Sequence, residues 1–260
     1  MEKGLNKVMR LRALLSGWIL IGWFGWVSVA PGWADEQTPK QVCLTFDDGP
    51  LSGTREILAV LTREEVPGTF FLIGEHVTAN NERRETLKML KESPRVRIAN
   101  HSHTHAHERY RAFYADPDGM LMDFRKNNEI LGFSQPPYPT RLPGRIDWRY
   151  EGHYVSADSH PKNSPGKAPI GIEKLFEHGF VIYGWDVEWG RPGRQNPLES
   201  VDGLLSRIRQ RLDNGKTVQP DRIVILMHDF HFNNAAAIEA LGKLIQRLKA
   251  GGYRFKWMDD

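Results

Sequence analysis

Cysteine is nearly absent from this 260-residue chain, in which Cys43 is the only one. A single thiol cannot form an intramolecular disulfide, so we expect no disulfide partner, and stability has to come from core packing and from any metal ion that binds. The apolar neighbours Val42 and Leu44 predict that this thiol lies in a buried strand. Internal repeats and low-complexity tracts are also lacking, which excludes a repeat array. The composition, 40% hydrophobic and 26% charged, is typical of one globular domain of barrel or sandwich size.

An excess of one charge is lacking as well, once the N-terminal segment is set aside. Residues 1–34 hold four of the 35 basic residues and one of the 32 acidic ones, so residues 35–260 carry 31 of each. The formal net charge of +3 therefore belongs to the N-terminal segment. A neutral domain gives no support for a polyanionic partner, and we expect no nucleic acid to bind.

The longest apolar run lies near the N-terminus. Four basic residues precede the apolar residues 13–30, and small residues follow at Gly32 and Ala34. This layout predicts a secretory signal peptide over residues 1–34, and so an exported protein in the periplasm or outside the cell. An uncleaved membrane anchor is the alternative, because the run approaches the length that spans a bilayer. The membrane is a partner only in that case.

Apolar runs alternate with helix-like segments in the rest of the chain. Several runs are continuous, as expected for strands that are buried on both faces. The predicted strands are residues 41–46, 68–74, 96–99, 179–187, 222–227 and 253–257, and the predicted helices are residues 55–64, 83–92, 198–212 and 235–248. This alternation predicts an α/β fold, and a parallel barrel would place its chemistry at the carboxyl ends of the strands.

Residues 135–170 depart from that pattern. The segment is rich in Pro, Gly, Ser and His and carries several aromatic residues. A long irregular segment within a compact domain is usually functional or mobile, so this one is a candidate lid over a substrate.

Two adjacent carboxylates, Asp47 and Asp48, close the first apolar run in the segment TFDDGP of residues 45–50. Asp-Gly-Pro is common turn chemistry, so these residues alone leave Asp48 equally well explained as a turn-capping side chain. A second polar cluster at a neighbouring strand end is needed to favour a functional site.

Four histidines follow the third apolar run, in the segment NHSHTHAH of residues 100–107. His101 and His105 are four residues apart, as are His103 and His107, and either pair can converge on one ion if the turn is helical. A carboxylate with two imidazoles is the ligand set of a hydrolytic metal site. Spacing does not choose between the two pairs, and a histidine-rich surface loop without a metal is a third interpretation.

Taken together and in this order, residues 45–50 and 100–105 resemble the first two motifs of the polysaccharide deacetylase family, also called the NodB-homology family of carbohydrate esterases. Residues 141–145, 185–189 and 225–229 extend the resemblance over nearly all of the chain that follows residue 34. The resemblance implies an α/β fold, a distorted or incomplete parallel (β/α) barrel. It makes residues 35–260 the catalytic domain of an exported member.

The first two motifs imply the metal ligands and the base. The family motif Asn-His-Ser/Thr-x-x-His begins directly after a strand, which assigns His101 and His105 as ligands together with Asp48. Asp47 is implied as the general base. The implied cofactor is a divalent metal ion, zinc, with cobalt as the alternative.

The third motif resembles RLPGR at residues 141–145, in which Arg141 would hold the base. Gly144 would donate its backbone N–H to the oxyanion, as the family residue does at this position. The family usually carries an aromatic residue here, so the wall that it supplies either comes from elsewhere in this chain or is absent. Trp148 and Tyr138 are the candidates.

The fourth motif resembles WDVEW at residues 185–189, in which Asp186 would orient the catalytic histidine and Trp189 would line the groove. Trp185 is assigned to the core. Without the resemblance, a paired strand-end carboxylate and a core tryptophan are the simpler interpretations.

The fifth motif resembles ILMHD at residues 225–229. By the resemblance Leu226 lines the acyl pocket and His228 is the general acid that donates a proton to the leaving amine. An isolated core histidine is the alternative.

The resemblance implies metal-dependent removal of the N-acetyl group from amino sugars in a polysaccharide, with release of acetate. Peptidoglycan, a chitin-like oligomer and poly-N-acetylglucosamine are the candidate N-acetylated glycan substrates. One alternative keeps the site but changes the acyl group or the amine, as in a deformylase or amidase. Another is a secreted glycan-binding protein without catalysis.

Overall fold

The computed structural model describes residues 39–151, 153–156, 169–190 and 198–260. The predicted signal peptide, residues 1–34, lies outside the described residues, as do residues 157–168 of the irregular segment. None of the helices in these ranges combines the length and the apolar character that crossing a membrane requires.

The described residues form ten strands that belong to one sheet. Their bounds are β1 Gln41–Gly49, β2 Gly68–Leu72, β3 Val96–Asn100, β4 Tyr138–Thr140, β5 Trp148–Tyr150, β6 His153–Val155, β7 Phe180–Ile182, β8 Val187–Glu188, β9 Arg222–His228 and β10 Arg254–Lys256.

Eight α-helices and two short 3₁₀ turns connect these strands within the described ranges. The helices are α1 Thr54–Arg63, α2 Gly74–Thr78, α3 Asn81–Glu92, α4 Tyr110–Ala115, α5 Pro117–Leu131, α6 Ile170–Glu177, α7 Val201–Asp213 and α8 Ala235–Ala250, and the 3₁₀ turns are His105–Glu108 and Asp229–Phe232. Each of the four helices predicted from periodicity is present, with bounds that shift by at most a few residues.

The strand order is β6-β5-β7-β4-β3-β2-β1-β9-β8, and β10 pairs with the first half of β1. All pairs are parallel except those that β5 makes with β6 and β7. The sheet curls around an axis as a half-barrel, which confirms the predicted α/β fold and its incomplete barrel. The predicted strand 179–187 is two strands, β7 and β8, separated by four residues that lie outside any strand.

Side chains along β1 alternate between two buried faces. One set of side chains packs with α1, α7 and α8 on the outer face: Val42, Leu44 and Phe46. Cys43 faces the other way, into an inner cluster with Phe71 and Trp148. The thiol is fully buried, as predicted. Because the side-chain period of a strand is two, Thr45 and Asp47 continue the inner face toward the carboxyl end.

The parallel register brings the ends of the central strands to one edge of the sheet. Asp47 of β1 is paired with His228 of β9. Leu72 of β2 is paired with Asn100 of β3, which in turn is paired with Thr140 of β4. The residues that follow these positions, including His101 and Arg141, therefore enter the same region of space.

Candidate active site

An open groove of about 600 Å³ lies at this carboxyl edge of the sheet. Seven of the eleven predicted site residues line it: Asp47, Asp48, His101, His105, Gly144, Leu226 and His228. Arg141 lies directly behind Asp47. Other residues that line it were not predicted to do so, and they include Tyr110, Trp185, Glu188 and Phe230.

Asp48, His101 and His105 converge as a ligand set. Asp48 Oδ1 lies 3.5 Å from His101 Nε2 and 3.4 Å from His105 Nε2, and the three ligand atoms lie within 4.8 Å of one another. Zinc bonds of about 2.0–2.1 Å in tetrahedral geometry place neighbouring ligand atoms about 3.3 Å apart. The spacing fits a small divalent ion.

Two further observations support that fit. Asp48 Oδ1 is buried and has no hydrogen-bond partner, an arrangement that a bound cation would satisfy. His101 Nδ1 lies 2.9 Å from the Arg141 carbonyl oxygen. A carbonyl can only accept, so Nδ1 carries the proton and Nε2 keeps the lone pair that a metal needs.

The other histidine pair with the same spacing does not join Asp48. His107 Nε2 is 3.0 Å from a carboxylate oxygen of Glu75, and 61% of its side chain is exposed. His103 packs against α2, where a Cβ atom added to Gly74 would lie 2.5 Å from its Nδ1. The geometry therefore favours His101 and His105.

A local irregularity at the end of β1 lets two consecutive carboxylates reach one groove. Adjacent strand residues normally point to opposite faces, but Asp48 has a φ of 72° and the pairing of β1 with β2 shifts between Asp47 and Gly49. His76 Nδ1 donates a hydrogen bond of 2.6 Å to the Asp48 carbonyl oxygen. This bond secures the irregular backbone.

Asp47 is held by a buried arginine, as the resemblance implied. Arg141 Nη1 donates to Asp47 Oδ1 at 2.8 Å and to Thr45 Oγ1 at 2.9 Å. The other guanidinium nitrogens donate to the carbonyl oxygens of Tyr183 and Gly184. Because this guanidinium is fully buried and bonded on every side, the Asp47 carboxylate has one orientation.

The electrostatics of Asp48 and His105 suit metal binding. Burial works against the charge on Asp48, but the nearby imidazoles of His101, His105 and His228 outweigh it and lower the pKa of the carboxyl. Burial and the neighbouring His101 lower the pKa of His105 to about 4. Asp48 is therefore ionised and His105 neutral near pH 7, the forms that bind a metal. Burial lowers the pKa of His101, but the carboxylates of Asp47 and Asp48 outweigh it and raise that pKa, so a metal has to displace a proton there.

The prediction that Asp186 orients His228 is wrong. The Asp186 carboxylate accepts hydrogen bonds from the backbone N–H groups of Val218 at 2.9 Å and Val224 at 2.7 Å. Its own N–H donates to the carbonyl oxygen of Val224 in β9. Asp186 therefore lies beside a residue that is four positions before His228, the last residue of that strand. Glu188 occupies the expected place, with Oε1 3.9 Å from His228 Nδ1.

The tryptophan assignments also need correction. Trp189 is fully buried, packs edge-on against Phe232 and donates from Nε1 to the Glu199 carbonyl. Strand alternation turns it away from the groove that Glu188 faces. Trp148 is 1% exposed and lies in the inner cluster, so it is not a wall of the site. Trp185, which we assigned to the core, lines the groove instead.

Tyr110 fills the space beside Gly144. Gly144 has a φ of 64°, and a Cβ atom added there would lie 3.3 Å from the Tyr110 ring. The ring also contacts His105 edge-on, with centroids 5.9 Å apart. Tyr110 therefore supplies the aromatic wall for which Trp148 and Tyr138 were the candidates. No sequence signal singled it out, because it lies at the start of α4, five residues beyond the second motif, where neither periodicity nor spacing marks it.

Comparison with known proteins agrees with the fold. A model of the family described as polysaccharide deacetylase matches residues 34–140. The chitooligosaccharide deacetylase of Bradyrhizobium sp. is 40% identical over 216 residues, which are 78% of this chain and 76% of that protein. A peptidoglycan-N-acetylglucosamine deacetylase of Bacillus cereus is 30% identical over 227 residues, 87% of this chain and 72% of that protein.

A solved structure, the polysaccharide deacetylase Bc1974 from Bacillus cereus, superposes with a TM-score of 0.55 at 26% identity and covers 84% of this chain and 91% of its own. The half-barrel is thus that of a NodB-type α/β protein. This chain belongs to the polysaccharide deacetylase family.

Proposed function

We propose that this protein is a metal-dependent hydrolase that removes the N-acetyl group from amino sugars in an N-acetylated glycan and releases acetate. The observation that carries the proposal is the convergence of Asp48, His101 and His105 within 4.8 Å, beside a carboxylate that Arg141 holds in place. The named relatives deacetylate chitooligosaccharides and peptidoglycan.

A divalent ion held by Asp48, His101 and His105 would supply a Lewis acid for the acetyl carbonyl. One carboxylate and two imidazoles suit zinc, with cobalt as the alternative. All three residues line the groove, so an ion that they held would be accessible to a substrate there.

Asp47 is the proposed base. Its carboxylate lies in the groove with Oδ1 bonded to Arg141, while Oδ2 lies 3.6 Å from His101 Nε2. It takes the proton from the attacking water. The backbone N–H of Gly144 donates to the carbonyl oxygen as negative charge develops there, a contact whose loss typically costs about 3 kcal/mol.

His228 is the proposed acid that protonates the departing nitrogen. Glu188, at 3.9 Å, stabilises the positive charge of the protonated ring. Phe230 stacks on that ring with centroids 5.1 Å apart and an interplanar angle of 28°, which limits its rotation. The proposed acid and the candidate ligands line the same groove, so a substrate bound there can meet both.

The walls of the groove favour a small acyl group. Leu226, 2% exposed, and Trp185 line it beside His228. The open side of the groove leaves room for a polymer such as peptidoglycan, a chitin-like oligomer or poly-N-acetylglucosamine. We place this substrate in the periplasm or outside the cell, because residues 1–34 have the layout of a signal peptide.

The proposal is tested by loading the protein with Zn²⁺, and separately with Co²⁺, and measuring acetate release from the three glycans. We expect acetate from at least one of them. The control variant Asp47→Asn should bind the same metal without turnover. If the metal-loaded protein releases formate from an N-formyl analogue and no acetate from any glycan, the amidase alternative replaces this proposal. Tight glycan binding with no product at all would favour a binding protein.

A further inference from the structure

Three residues separate His101 from His105, and all three donate hydrogen bonds to one carboxylate on α5. Asp123 Oδ1 accepts from Ser102 Oγ at 2.6 Å and from the His103 N–H at 2.8 Å. Asp123 Oδ2 accepts from Thr104 Oγ1 at 2.7 Å and from the Thr104 N–H at 3.2 Å. Both oxygens of this carboxylate are committed to the loop between the candidate ligands.

The carboxylate also acts on His105 through a hydroxyl. Ser102 Oγ donates to Asp123 and accepts from the His105 N–H at 3.0 Å. On the other side, the Ser102 N–H donates to Asn100 Oδ1 at 2.8 Å. The backbone from Asn100 to His105 is thereby held at every residue that follows the strand.

These bonds hold a backbone that has an unfavourable conformation. Ser102 has a φ of 68°, and the four residues His105–Glu108 have φ values between 43° and 59°. Non-glycine residues in the left-handed region are destabilising, so they persist only where surrounding contacts determine them. Without the Asp123 contacts, the loop would relax and His105 Nε2 would move away from Asp48.

Helix α5 is a rigid support for this carboxylate. Asn127 lies four residues after Asp123, on the same helix face. Its Nδ2 donates to the Leu72 carbonyl at 2.9 Å and to Asn100 Oδ1 at 2.8 Å. The Asn100 amide nitrogen in turn donates to Asn128 Oδ1 at 2.7 Å. The helix is therefore bonded to the ends of β2 and β3, and Asp123 extends that support into the loop.

We infer that Asp123 is a positioning residue for the metal, whose carboxylate holds residues 101–105 in the one conformation that lets His101 and His105 bind an ion together with Asp48. This inference rests on the proposed metal-dependent function. Loss of a residue that orients metal ligands typically weakens metal affinity by about 10-fold to 100-fold.

The test measures metal binding directly in Asp123→Ala and Asp123→Asn. We expect Asp123→Ala to raise the Kd for Zn²⁺ by about 10-fold to 100-fold and to change the visible absorption spectrum of bound Co²⁺. Asp123→Asn should have a smaller effect, because its amide oxygen still accepts from Ser102 and His103 while its amide nitrogen cannot accept from the Thr104 N–H. Asp118→Asn is the matched control on the same helix, with an exposed side chain that contacts Lys174, and its Kd should stay at the wild-type value.

Thermal unfolding of the metal-free proteins separates positioning from folding. If Asp123→Ala does not fold, the isosteric Asp123→Asn and the variant Ser102→Ala decide the question. A folded Asp123→Ala or Asp123→Asn with wild-type Zn²⁺ affinity and an unchanged Co²⁺ spectrum would overturn the inference. Metal affinity is measured without turnover, so a protein that binds Zn²⁺ but deacetylates nothing would refute the proposed function and leave this result intact.

Discussion

The two sides of the groove are built differently. On the side of the candidate metal ligands, the His101 ring donates a hydrogen bond to the Arg141 carbonyl oxygen. Every residue of the loop that leads to His105 is hydrogen-bonded to Asp123 or Ser102. On the acid side, His228 Nδ1 has no hydrogen-bond partner and lies 3.9 Å from Glu188. Metal ligands have to keep their distances to a few tenths of an ångström, whereas a proton donor tightens onto its substrate only when that substrate binds.

The largest expected effect is the loss of a ligand, and it contrasts two histidines that are two residues apart. His105→Ala should abolish Zn²⁺ binding and with it all turnover, because a third of the donor set is gone. His107→Ala should be mild, because that ring is exposed and pairs only with Glu75 at the rim. Isothermal titration with Zn²⁺ on both variants checks this, and the opposite result would move the ligand pair along the chain.

Next in size is removal of the base. Asp47→Asn should lower kcat by about 10²-fold to 10⁴-fold, the usual contribution of a positioned acid or base, while Zn²⁺ stays bound to Asp48, His101 and His105. Metal content by mass spectrometry together with acetate release measures both quantities. An Asp47→Asn variant with wild-type kcat would assign the base elsewhere.

A smaller effect distinguishes the carboxylate beside His228 from the one that was predicted to be there. Glu188→Gln should lower kcat by roughly 10-fold, because the protonated ring loses its nearby negative charge. Asp186→Asn should leave kcat near the wild-type value, since its carboxylate accepts hydrogen bonds from the backbone of Val218 and Val224. Acetate release by both variants measures this, and a kcat that falls only in Asp186→Asn would restore the original assignment.

The last expected effect is on stability and leaves the catalytic step untouched. Burial raises the pKa of Asp186 to about 6, well above the ordinary value for an aspartate, so the folded state holds this proton more tightly than the unfolded chain. Protonated Asp186 therefore adds up to about 3 kcal/mol to the free energy of unfolding. This contribution is fully present below about pH 4 and is lost as the pH rises through 6. Urea unfolding of the wild type and of Asp186→Asn at pH 4 and pH 7 isolates the contribution of Asp186. If the free energy of unfolding changes equally with pH in both proteins, this prediction is contradicted.

The parts of the site that were predictable lie next to strands in the sequence. Asp47 and Asp48 end an apolar run, and His101 follows another, so residue type and position carried the signal together. Glu188 was missed because Asp186 and Glu188 both lie near the end of the predicted run 179–187, and the four residues between β7 and β8 change which of them reaches the groove. A break of this kind is set by pairing with β9, not by local propensity.

The aromatic walls and the loop support were not predictable from motifs. Tyr110 and Phe230 reach the groove through the tertiary placement of short elements that carry no repeat or spacing signal. Asp123 lies within α5, nineteen residues after Thr104, on a helix that was not predicted. The amphipathic residues of that helix, such as Phe124 and Leu131, were the available signal, and they indicate only a buried face.

The irregular backbone at Asp48 has a consequence for how such proteins diversify. It joins the proposed base and a candidate metal ligand as consecutive residues at the end of β1, so neither can be displaced without the other. The aromatic side chains that line the groove come from three separate segments of the chain, at Tyr110, Trp185 and Phe230. Mutation can therefore reshape the cavity for a different sugar or acyl group one segment at a time, while the hydrolytic step is inherited unchanged.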